Sequence, residues 1–76
     1  MTITHRRPDM PEVEFLVTAN RNGSYTVARG EKILFGRASQ LGAYFGASLY
    51  PSNRLQAEAI AEAKSRIDSA RLDQLE

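Results

Sequence analysis

Val13-Glu14-Phe15-Leu16-Val17-Thr18-Ala19, Asn20-Arg21-Asn22-Gly23 and Ser24-Tyr25-Thr26-Val27-Ala28-Arg29 form the stretch that decides the fold. Val13, Phe15, Val17 and Ala19 alternate with Glu14, Leu16 and Thr18, the period of two that a half-buried strand requires. Asn22-Gly23 between two alternating runs is a strong hairpin signal, because both residues tolerate positive φ. The second run, from about Ser24 to Arg29, turns Tyr25 and Val27 to the same side. Gly30-Glu31 then reverses the chain into Lys32-Ile33-Leu34-Phe35-Gly36-Arg37, with Ile33 and Phe35 expected on the core face. These patterns predict a three-stranded antiparallel meander.

Upstream, residues 1 to 12 hold two prolines, adjacent Arg6 and Arg7 and little periodic apolar content, which reads as a flexible arm. Downstream, Pro51-Ser52-Asn53 marks a boundary, and Asn53 with Gln56 forms a capping-box variant ahead of an Ala-rich segment. A helix is predicted from about Arg54 to Leu72, its buried stripe being Ala57, Ile60, Ala63, Ile67 and Ala70 with Leu55 nearby. Glu62, Arg66, Lys64 and Asp68 are expected on its outer face. Between strand three and this helix, Leu41, Tyr44, Phe45 and Leu49 recur at helical spacing from a cap at Ser39, but Gly42 and Gly46 oppose a helix. A short helix over 39–47 and an irregular loop both remain open for this connector. The predicted class is α+β: an N-terminal arm at 1–12, and one domain at 13–76 in which the meander packs on a long C-terminal helix.

Composition narrows the chemistry. Seventy-six residues, 42% hydrophobic and 25% charged, suffice for one small domain. No apolar run approaches the ~18 residues of a membrane span, so no membrane partner is expected. The opening MTITHRRPDM lacks the apolar stretch of a secretion signal, which makes a cytoplasmic location the expectation. The absence of Cys and the single His5 leave no metal set, catalytic triad or cofactor motif to assemble, so the chain is expected to be no enzyme and to use no cofactor. His5 reads as exposed, and Glu12 and Glu14 as solvated carboxylates. Gly36-Arg37-Ala38-Ser39-Gln40-Leu41-Gly42 lacks the Gly-Lys-Ser/Thr of a phosphate loop.

Charge is uneven. Residues 1–54 hold seven basic groups against four acidic, and residues 55–76 hold three against five. Arg21, Arg29, Lys32 and Arg37 gather at hairpin ends and strand edges, and with Arg6 and Arg7 they are the groups that would track phosphates if the partner were DNA. For a protein partner, the residue types that supply interface energy are Arg21, Arg29, Arg37, Tyr44 and Tyr50.

Two family resemblances follow from these residues. Arg6-Arg7-Pro8-Asp9-Met10-Pro11, Asn22-Gly23-Ser24-Tyr25 in a hairpin, Phe35-Gly36-Arg37 ending a strand and Ala57-Glu58-Ala59-Ile60 in a closing helix are similar to the arm-type DNA-binding domain of phage integrases. That resemblance implies a three-stranded sheet entering the major groove, although here about fifteen extra residues separate strand three from the helix. The length, the short meander and the Ala-rich helix together resemble the small phage proteins that block host defence, anti-CRISPR proteins among them. This second resemblance implies a phage or mobile-element inhibitor, monomeric or homodimeric, that acts in the bacterial cytoplasm by occluding a surface of a host complex such as a CRISPR effector. A self-associating accessory protein is the remaining expectation.

Overall fold

A computed structural model describes residues 1–41 and 50–76. The hairpin stretch forms strands β2 (Met10–Ala19) and β3 (Tyr25–Arg29), antiparallel with Val17 opposite Val27 and Ala19 opposite Tyr25. Phe15, Val17, Ala19, Tyr25 and Val27 are buried on one face, as their alternation requires. Of Asn22 and Gly23, both expected to tolerate positive φ, only Gly23 takes it, at 85°. Asn22 instead accepts hydrogen bonds at its Oδ1 from the Ser24 N–H (3.0 Å) and hydroxyl (2.6 Å), an Asx-type closure. Gly30, φ 62°, reverses the chain into β4 (Lys32–Arg37).

The sheet has four strands, not three. Thr2–Arg7, expected in the flexible arm, is a strand, β1, that pairs antiparallel with β2 and places Ile3 opposite Val17 and His5 opposite Phe15. Its β-branched Thr2, Ile3 and Thr4 favour extended backbone, and Pro8-Asp9 supplies the reversal. The sheet order is β1-β2-β3-β4.

A bulge corrects the reading of β4. Val27 pairs with Phe35 but Ala28 pairs with Ile33, so Leu34 is an extra residue. Ile33 therefore leaves the core face and is 67% exposed, while Leu34 packs partly against the core. Gly36 beside the bulge has a steric role: a Cβ there would lie 2.5 Å from the Tyr25 carbonyl oxygen.

Helix α1 (Asn53–Ser69) is capped by Ser52, one residue before the expected cap, with the Ser52 Oγ accepting from the Leu55 N–H at 3.1 Å. Gln56 does not close a capping box but donates to the Ala19 carbonyl. The buried stripe is Ala59, Ala63 and Ile67, spaced by four, with Ile60 and Ala70 half-buried. Ala57 lies about 120° around the helix from the centre of this stripe and is exposed. Alanine at 59 and 63 lets the helix backbone approach β2 and β3 closely.

The helix ends at Ser69 rather than near Leu72. Arg7, 11% exposed, donates from Nη1 to the carbonyls of Ile67 (3.0 Å) and Ala70 (2.6 Å), satisfying groups that a helix C-terminus leaves open. Ala70 and Arg71 are extended, and a 3₁₀ turn, α2 (Leu72–Gln74), brings Leu75 into the core with no exposed surface.

Candidate protein-binding surface

The basic residues decide what this surface can bind, so their partners are traced first. On the helix side, Arg37 donates from Nε and Nη2 to the Gly23 carbonyl (3.2 and 2.9 Å), pairs through Nη1 with Glu62 (2.8 Å), and lies 5.3 Å from the Tyr25 ring centroid. Arg66 donates to the Tyr25 hydroxyl at 2.9 Å and stacks 4.2 Å from the Phe35 centroid. Glu62 and Arg66 thus hold the sheet rather than decorate an outer face. Burial raises the Tyr25 pKa above that of a free phenol; the bond from Arg66 opposes this shift and nearby Glu62 adds to it. Arg29 donates to the Leu75 carbonyl at 3.0 Å, and Lys32 donates to the Glu76 carbonyl.

The N-terminal cations are engaged as well. Arg6 donates to Glu14 and to the Pro11 carbonyl, both at 2.7 Å. Arg7 pairs with Asp9 at 2.8 Å, and this bond raises the arginine pKa and lowers that of the carboxyl. His5, expected to be exposed, keeps 20% of its side-chain surface and sits 2.8 Å from Asp68, tying β1 to α1. Of the six basic groups named as phosphate contacts, Arg21 alone has no side-chain partner among the described residues.

Arg21 stands on a braced turn. The Ser52 N–H donates to its carbonyl (3.0 Å), the Gln40 N–H donates to the Asn22 carbonyl (2.7 Å), and Arg37 holds the carbonyl of Gly23. The first of these bonds also brings the end of the connector to the hairpin tip. Tyr50, 76% exposed, therefore lies two residues from a direct contact with the Arg21 backbone. Of the five expected partner-binding residues, Arg21 and Tyr50 are exposed and are linked through the Ser52 bond to the Arg21 carbonyl. Arg29 and Arg37 are committed to intramolecular bonds, and Tyr44 lies outside the described residues, as does most of the connector. Ser39, Gln40 and Leu41, at its start, are not helical.

Beside the tip lies the sheet face that α1 does not cover. Register places Thr2, Thr18, Thr26 and Gly36 in one row across the four strands, and Thr4, Leu16, Ala28 and Ile33 in the next. Leu16 is 39% exposed and Ile33 67%. The Arg6–Glu14 ion pair closes one end of this face. With Ile33 and Phe35 expected on the core face, unbroken alternation would put Lys32 and Leu34 here; the bulge replaces Leu34 with Ile33, and Lys32 turns toward the C-terminal segment. Ile33 was not foreseen in this surface, because a bulge has no period of its own in the sequence.

Among the described residues no group of three His, Asp or Glu side chains could hold a metal ion, and no helix is long and apolar enough to cross a membrane. No protein family, curated protein or solved structure matches this chain.

Proposed function

We propose that the chain is a non-enzymatic binding protein that occludes a surface of a protein complex, docking through the open sheet face and the adjoining Arg21–Tyr50 tip. The observation that carries this reading is the near absence of unpaired cations on that side. The rows of the sheet face are threonine and aliphatic, the guanidinium of Arg6 at its end is matched by Glu14, and Arg21 at the adjoining tip is the one unpaired cation of this surface among the described residues. DNA binders gain most of their affinity from unpaired Lys and Arg that replace counterions, whereas a neutral, flat face with aliphatic centres complements a protein surface.

Size supports including the tip. Four strands about 4.8 Å apart, used over about five residues of about 3.4 Å each, offer only roughly 300 Å². A stable interface takes about 800 Å² from each partner. Arg21 and Tyr50 extend the face with two of the residue types that most often dominate binding energy, and the bonded carbonyls of residues 21–23 hold the tip in place before binding, which lowers the ordering cost.

Of the roles that the sequence resemblances imply, inhibition of a phage-defence complex such as a CRISPR effector suits this surface best. The test is co-purification with a purified effector after nuclease treatment, and loss of target-DNA binding by that effector. The expected result is inhibition by the native chain that falls at least tenfold in an Ile33→Lys, Arg21→Glu variant with unchanged circular dichroism. Direct DNA binding by the chain, weakening steeply with salt, would replace this reading with the integrase-like one. A mass that doubles with concentration and returns to monomer in Ile33→Lys would assign the face to a second copy.

A further inference from the structure

A concave site lies on the helix side, away from the open face. Because α1 packs over β1, β2 and β3, it leaves a cleft of about 460 Å³ against β4, lined by Leu34, Phe35, Arg66, Ser69, Ala70 and Gln74. That volume falls within the range of small-molecule sites. Leu34, Phe35 and Ala70 make an apolar floor, and each is half-buried.

Two of the three polar groups around this floor, Arg66 and Gln74, offer donors, while the Ser69 hydroxyl gives its hydrogen to the Ser65 carbonyl at 2.8 Å. Arg66 is held by its stacking on Phe35 and by its Nη1 bonds to the Tyr25 hydroxyl and the Gly36 carbonyl, which leave Nε and Nη2 without a partner among the described residues. Gln74 accepts through Oε1 from the Arg71 N–H, so its amide nitrogen remains to donate. No carboxylate lines the cleft. The nearby acids are occupied elsewhere, Glu62 by Arg37, Asp68 by His5 and Asp73 by Arg71.

We propose that this cleft binds a small amphipathic carboxylate, its apolar body on Leu34, Phe35 and Ala70 and its carboxylate on the fixed guanidinium of Arg66. A stacked, pre-oriented arginine is suited to a planar two-oxygen anion, and the apolar floor selects against small hydrophilic anions such as acetate. The site does not depend on the sheet-face reading, since none of its lining residues belongs to that face.

The test is an amide chemical-shift titration of the full chain with 4-phenylbutyrate and, separately, with its neutral isostere 4-phenylbutyramide. The expected result is saturable shifts at Leu34, Phe35, Ala70 and Gln74 with the carboxylate, and at least tenfold weaker binding of the amide. Ser69→Leu, which fills the cleft from an exposed helix position and leaves Arg66 in place, should abolish the shifts. Arg66→Gln should weaken carboxylate binding at least tenfold while leaving the amide's binding nearly unchanged. Should Arg66→Gln lose its dispersed spectrum, Ser69→Leu and the acid–amide comparison decide the matter without it. Equal binding of acid and amide, shifts confined to other residues, or no shifts at low-millimolar ligand would overturn the proposal.

Discussion

Leu75 follows the short turn α2, has no exposed surface and packs in the same core as Phe15 and Ile67. Replacing it with alanine removes three carbons, a transfer loss of about 2.4 kcal/mol at about 0.8 kcal/mol for each. The cavity term adds to this, and the total is placed near 3 kcal/mol, in the lower half of the usual range of about 2 to 5 kcal/mol. With an unfolding entropy of about 2.1 cal/mol/K per residue, a 76-residue chain loses about 19 °C of Tm for that change. Thermal unfolding followed by circular dichroism reads it directly. Leu72→Ala is the matched control: Leu72 is 52% exposed three residues earlier, and its loss should cost under about 0.5 kcal/mol, or about 3 °C. If Leu75→Ala unfolds within a few degrees of Leu72→Ala, the C-terminal segment is no part of the core and the account of the helix end is wrong.

Gly36→Ala should destabilise the chain by at least about 2 kcal/mol in urea unfolding, because its Cβ would meet the Tyr25 carbonyl at 2.5 Å and the backbone cannot move without breaking the β3–β4 pairing. Gly30→Ala, with open space but φ 62°, should cost only about 1 kcal/mol. Arg37→Glu should not behave as a harmless surface reversal: it removes the bonds to Gly23 and turns the pair with Glu62 into a repulsion, and a loss of about 2 kcal/mol or more is expected from the same measurement. An unchanged midpoint would show the Arg37 contacts to be idle. Alkaline spectrophotometric titration should find Tyr25 ionising later than a free phenol, a step that Tyr25→Phe should remove. Since folding raises this pKa, the stability it contributes is complete below about pH 10, the pKa of an unfolded tyrosine, and is lost as pH rises through the folded value. A stability profile that is flat across that range, with Tyr25 folded, would contradict its burial.

Strands β2 and β3, their turn at Gly23 and the reversal at Gly30 were legible because each is written in adjacent residues, as an alternation and a glycine between alternations. The existence of α1 was legible for the same reason, its apolar positions recurring within one turn. Strand β1 was not, since Thr2-Ile3-Thr4-His5 has a single aliphatic residue and becomes a strand by pairing with β2, whose Thr18, Val17 and Leu16 lie more than ten residues away.

The surface divides along the same line. Residue type alone marked Arg21 and Tyr50 as binding candidates, and the structure places both at one exposed tip. Charge counting also marked Arg29, Lys32 and Arg37, but whether a cation is free depends on what folds against it. Their partners, the carbonyls of Leu75, Glu76 and Gly23 and the carboxylate of Glu62, are 14 to 46 residues distant or reached across the helix–sheet interface. The bulge at Leu34, which exposes Ile33, and the end of α1 under Arg7 are likewise products of long-range pairing. Sequence by itself determined the periods and turns that local backbone sterics enforce. Tertiary structure decided which face each charge and each aliphatic side chain would occupy, because hydrogen-bond partners and buried area come into being only when distant segments meet.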